Sequence, residues 1–192
     1  MNDMIAKITE IKKELRANMN GVASSAMRHT EDYRVNWGIE LPRIQMIANE
    51  FEPDRALAQA LWNESVRECK ILACMLMPVS DFTEELCDVW TEGIRTEEIA
   101  QMLCMYLMPK VGYASTKAFE WMASERYILQ CCGFLTLCHL VRKYPLSEDA
   151  EAEFLDQAAS LLPDKYAVRA LQIFASQSEA NERKVKKIAD YL

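Results

Sequence analysis

The chain has 192 residues, 51% of them hydrophobic and 27% charged, and a formal charge of −7. This composition excludes a disordered tail, a collagen-like repeat and a small disulfide scaffold, and the length suffices to bury roughly 70% of the unfolded surface without metal or disulfide staples. The negative charge argues against broad attraction to nucleic acid or to an anionic membrane, although a local basic face is compatible with it.

Apolar residues recur at three- and four-residue spacing and two-residue alternation is scarce, which predicts an all-α protein. Met4, Ile5, Ile8, Ile11 and Leu15 form a stripe opposite Lys7, Lys12, Lys13 and Arg16, so the first helix is amphipathic. The polar segment 18–33 reads as a loop or short helix. Apolar stripes then predict helices over 41–51, 54–62, 64–77, 81–91, 96–108, 115–123, 126–144, 147–161, 164–176 and 181–192. Pro53-Asp54, Pro145-Leu146-Ser147-Glu148 and Pro163-Asp164 set a proline ahead of a side chain able to cap a helix start. Met77-Pro78 and Met108-Pro109 end helices, because the residue before proline avoids the α region and proline has no amide hydrogen. Gly93 and Gly112 suit C-terminal caps or turns. Short connections between these helices imply antiparallel neighbours stacked in sequence. The expected architecture is a HEAT-like helical-repeat solenoid, an α-α superhelix forming one domain over 1–192, with a globular bundle of the same helices as the alternative.

Seven cysteines, and a charged segment 1–20 with no apolar core like that of a secretory signal, point to a reducing cytoplasmic compartment. The apolar stretches 71–79 and 131–141 are far shorter than the roughly 18 residues a membrane span needs, and read as buried helix. Cys131, Cys132, Cys138 and His139 invite a zinc reading, but they share one helix and lack the paired spacing of structural sites, so core packing is the expectation and no metal is. His29 falls in the polar segment and is expected to be solvated, His139 to sit in the core or a groove. Neither reads as a catalytic base. Nucleotide-binding, zinc-protease, nucleophile-elbow and EF-hand motifs are absent, and no cofactor is expected.

Charge is uneven. From Glu64 to Glu98 nine acids stand against three bases. Lysines and arginines gather instead in the first helix, at Lys110, Lys117 and Arg126, at Arg142-Lys143, and near the C-terminus. Runs of this kind are commonly solvated helix faces, but stacked helices that align them could grip phosphates. Lys110, Lys117, Arg126, Arg142 and Lys143 are the nucleic-acid-binding candidates.

The segment Asn36-Trp37-Gly38-Ile39-Glu40-Leu41-Pro42-Arg43-Ile44-Gln45-Met46-Ile47-Ala48 resembles the opening segment of the AlkD-like DNA alkylation repair family. Leu57-Ala58, Leu61-Trp62-Asn63, Glu68-Cys69 and Ala73 resemble that family's following helix pair. The resemblance implies a superhelix of HEAT-like repeats. It also implies removal of cationic alkylated bases from DNA, in which an aspartate stabilises the oxocarbenium-like sugar and tryptophans pack against the cationic nucleotide.

The residues for that chemistry are missing. The family's Trp-Asp-x-x-Asp stretch falls at Thr96-Glu97-Glu98-Ile99-Ala100, which sets Ala100 at the key aspartate. Its paired arginines fall at Gln130-Cys131, and its C-terminal Trp and Leu-Arg pair at Ile173 and Ala175-Ser176. The resemblance therefore implies a scaffold with weak or no glycosylase activity that binds DNA or a protein partner. The alternative is an active glycosylase using a displaced carboxylate, Glu97, Glu98 or Asp88, beside Trp90. A protein–protein adaptor is a third class, favoured by the acidic middle. No oligomeric state follows from the sequence.

Overall fold

The computed structural model describes residues 2–30, 33 and 35–190. Among them the chain forms twelve α-helices, α1 to α12, and no β-strand. It divides into two compact units, Met1–Val111 and Gly112–Leu192.

The first unit holds α1 (Asn2–Ala17), α2 (Gly21–Thr30), α3 (Leu41–Ala48), α4 (Arg55–Trp62), α5 (Arg67–Leu76), α6 (Glu84–Glu92) and α7 (Glu97–Tyr106). The expected stripe of the first helix forms: Ile11 and Leu15 are fully buried, and α1 packs on α3 and α4. Helix α5 packs against α3, α4 and α7, and a helix with neighbours on several sides is apolar on several sides. Cys69, Ile71, Leu72, Ala73, Cys74 and Leu76 are all buried. Side-chain oxygens of Asp54, Thr83 and Thr96 accept from the amides of Leu57, Leu86 and Ile99 and close the starts of α4, α6 and α7, each cap contributing about 1 kcal/mol. The Thr83 cap explains why α6 begins at Glu84 and not at 81, where a 3-10 turn, Val79–Asp81, intervenes. Helix α5 starts at Arg67, three residues later than the stripe suggests, because Val66 forms an isolated parallel bridge with Val35.

The second unit holds α8 (Ala114–Met122), α9 (Tyr127–Leu140), α10 (Glu148–Ser160), α11 (Lys165–Ala175) and α12 (Glu179–Asp190). Helix α9 is apolar all round, buried from Cys131 to Cys138, and packs on α8 and α11. Gly133 sets the α8 approach: a Cβ there would lie 2.7 Å from the Ala118 carbonyl oxygen and 2.7 Å from the Met122 nitrogen. The helix ends at Leu140, not 144, because the Leu140 carbonyl accepts from Lys143 and Tyr144 in a closing turn. Ser147 and Asp164 cap α10 and α11 as their proline-led sequences predict. Phe154 and Phe174 meet edge to face at 5.4 Å between α10 and α11.

All seven cysteines are buried thiols outside any disulfide, and among the described residues no three of His, Cys, Asp and Glu converge to hold a metal ion. Burial pushes the Cys69 thiol up to about 12 and that of Cys74 further. Both are inert core groups. No helix among the described residues is long and apolar enough to cross a membrane.

Candidate nucleic-acid interface

The first of two charged clusters grows from the segment 35–40. Gly38 has φ +70°, and a Cβ on it would meet the Asn20 carbonyl oxygen at 2.3 Å and the Ser24 nitrogen at 2.4 Å. Only glycine admits the start of α2 that close. The loop is pinned from that side by Asn20 N–H donating to Trp37 O at 2.9 Å and by the Ser24 hydroxyl donating to Asn36 O at 3.0 Å.

From the other side the fully buried Glu68 carboxylate accepts from the amides of Trp37, at 3.1 and 3.2 Å, and of Ile39, at 3.2 Å. Its sequence neighbour Arg67 donates through Nη1 to Ile39 O at 2.9 Å and to Glu68 at 3.0 Å. Through Nε and Nη2 it grips both oxygens of Glu98 at 2.7 and 2.5 Å. The Tyr33 hydroxyl also donates to Glu98. Burial works to raise the Glu98 pKa, but the hydrogen bonds from Arg67 and Tyr33, with the Arg67 charge, hold it below the ordinary carboxylate value. Burial, then the Glu98 hydrogen bond, keeps Tyr33 neutral far above neutral pH. The segment that carries the family resemblance is thus a structural joint, with Gly38 and Glu68 as its fixed points.

That arrangement accounts for the catalytic candidates. Glu98 is committed to Arg67 and Tyr33, which hold both of its carboxylate oxygens. Glu97 opens α7 half-buried, and Asp88 stands on the exposed face of α6. Trp90 is 2% exposed, stacked on Trp62 at 4.3 Å with 4° between planes and met edge-on by Phe82 at 5.2 Å. Ala100, at the position the resemblance assigns to the aspartate, is fully buried. Of the positions assigned to the arginines, Gln130 donates to Ser124 O at 2.7 Å, and Cys131 is buried.

The second cluster lies in the second unit and draws on the basic candidates. Arg142 and Lys143 are exposed just after α9 and line a cavity of about 420 Å³ with Tyr144, Gln177 and Asn181. Arg169 of α11 acts with them on His139: burial first, then the charges of Arg142, Arg169 and Lys143, lower its pKa. Arg169 lacks any local sequence signal, since a lone arginine on an exposed helix face looks like solvated surface. Lys110 is exposed in the 3-10 turn Met108–Lys110, and Arg126 is exposed at the start of α9. Lys117 is 4% exposed and pairs at 2.9 Å with Glu120, whose side chain is exposed. The His29 side chain lies outside the described residues.

The chain matches the family model of the DNA alkylation repair enzymes over residues 11–168. The protein belongs to that family. It also resembles a solved structure from a new family of proteins related to the HEAT-like repeat DNA glycosylases, with affinity for branched DNA structures. The TM-score is 0.83 at 16% identity, over 95% of this chain and 81% of that one, which establishes the HEAT-like helical-repeat fold. No curated protein matches the sequence.

Proposed function

We propose that the protein is a DNA-binding member of the alkylation repair family that recognises DNA structure without excising bases. The observation that carries this reading is the fate of the carboxylates: the position assigned to the aspartate holds a buried Ala100, and the nearby Glu98 is locked by Arg67 and Tyr33. Base excision needs a carboxylate free to stabilise developing positive charge on the sugar. Binding needs only cations, and Arg142, Lys143 and Arg169 supply a local basic face on a chain of net charge −7. The affinity of the structurally similar protein for branched DNA supports a branched substrate here.

The test is an anisotropy titration against a four-way junction and a linear duplex of equal length, at low and near-physiological salt, beside an excision assay on duplex carrying 7-methylguanine or 3-methyladenine. The expected result is salt-sensitive binding, tighter for the junction, with no released base. Excision that is lost on substituting Glu97 or Asp88 would overturn it in favour of a displaced carboxylate.

A further inference from the structure

Between Glu64 and Glu98 the chain has three cations among nine acids, Arg67, Lys70 and Arg95. The fold brings all three to one cavity of about 140 Å³ in the first unit. Its floor is buried, with Arg67 3% and Thr96 4% exposed, and Ser65 and Arg95 stand at an exposed rim.

Arg67 is neutralised by Glu68 and Glu98. Among the described residues the other two cations have only neutral partners. The Lys70 ammonium donates to the Trp62 carbonyl at 2.6 Å and lies 4.7 Å from the Trp62 ring centroid. Arg95 Nη1 donates to the carbonyls of Glu92 at 2.5 Å and Ile94 at 3.1 Å. Neither forms an ion pair among the described residues. Burial, with the Arg95 charge adding to it, lowers the Lys70 pKa. Two like charges that no described acid pairs with, at a recessed cavity in an otherwise acidic stretch, create a local demand for an anion.

We propose that this cavity receives a phosphate monoester, either the terminal phosphate of a nucleic acid strand or a small phosphomonoester. A recessed cavity with a buried floor admits a group attached on one side, whereas an internal phosphodiester must leave in two directions. A monoester carries close to two negative charges at neutral pH, against one for a diester, and so matches the two cations. Lys70 and Arg95 supply charge-assisted hydrogen bonds, and the Ser65 hydroxyl adds a donor at the rim. The strand-terminal source rests on the DNA-binding reading; the small-ester source does not.

The experiment uses the full chain, Lys70→Met and Arg95→Gln, titrated with duplexes whose recessed end carries a 5′-phosphate or a 5′-hydroxyl, and heated with and without phenyl phosphate. The expected result is about tenfold tighter binding of the phosphorylated end, competition by phenyl phosphate, and loss of both in each variant. Arg95 is exposed, so its variant keeps the test valid should Lys70→Met fail to fold. Stabilisation by phenyl phosphate that depends on Lys70 and Arg95, in a protein that binds no DNA, retains the cavity and removes the DNA-binding reading. DNA binding that ignores the terminal phosphate, with no stabilisation by phenyl phosphate, overturns the cavity and leaves that reading standing. A terminal-phosphate preference that survives both substitutions also overturns it.

Discussion

Arg67 and Glu98 lie 31 positions apart and are joined by two parallel hydrogen bonds, of 2.7 and 2.5 Å, between the start of α5 and the first turn of α7. Arg67 is almost fully buried, so removing a partner leaves a charge in a medium that cannot solvate it. Glu98→Ala is expected to cost about 2 kcal/mol or more. Glu68→Ala should cost about 3 kcal/mol or more, because it also orphans the Trp37 and Ile39 amides. Urea denaturation of each variant measures both, and losses within about 0.5 kcal/mol of wild type would show the joint to be dispensable.

The same pair sets a pH dependence. The folded pKa of Glu98 lies below its ordinary value, so the folded state binds fewer protons than the unfolded one. Its contribution is complete above the ordinary carboxylate value, about 4.3, and is lost as pH falls through the depressed one. Stability measured between pH 7 and pH 3 should fall more steeply in the wild type than in Glu98→Gln. Parallel curves would remove Glu98 as the cause.

Glycine positions separate geometry from composition. Gly38→Ala forces a side chain into a left-handed residue and against the Asn20 and Ser24 backbone, a loss of about 2 kcal/mol or more. Gly133→Ala should be at least as damaging, since Ala118 O and Met122 N are backbone atoms that retreat only if α8 does. Gly21→Ala meets nothing within 4 Å and should leave stability unchanged or slightly raised. Melting curves that rank the three otherwise would contradict the close approaches described.

Charge reversal tests the second unit. Arg142→Glu, Lys143→Glu and Arg169→Glu should each weaken junction binding and reduce the slope of log affinity against log salt by about 1. Lys117→Gln should leave that slope unchanged, because Lys117 is already paired with Glu120. A salt slope untouched by all three reversals would place the DNA elsewhere.

His139 reports on the same surface. Its folded pKa is depressed, by burial and then by Arg142, Arg169 and Lys143, so in the free protein stability is full above about pH 6.5 and declines below it. A phosphate neutralising those cations would raise that pKa and couple binding to proton uptake. Affinity is therefore expected to rise about threefold between pH 7.5 and pH 6, and to lose that dependence in His139→Gln. An identical pH profile in the variant would show that the phosphates lie away from His139.

The sequence by itself determined the helices and those of their limits that local signals set. Three- and four-residue apolar spacing, the caps Asp54, Ser147 and Asp164, and the proline stop after Met77 act over a few residues, and the helix ends they mark fall there, whereas the start of α5 and the end of α9 do not follow the apolar stripe. It also marked the Trp37-Gly38 segment and Glu68 through their resemblance to a family, although their role as a joint depends on α2 and α5 meeting around one loop. Tertiary structure alone decided how the charges are used. In sequence, Lys117 resembles Arg142, and Glu98 resembles any acid in a helix's first turn. Packing buries Lys117, which pairs with Glu120, ties Glu98 to Arg67, and brings the charge of Arg169 on α11 to the same histidine as those of Arg142 and Lys143 after α9. Backbone preference is local, whereas the cost of a charge depends on solvent exposure and on partners brought from distant positions.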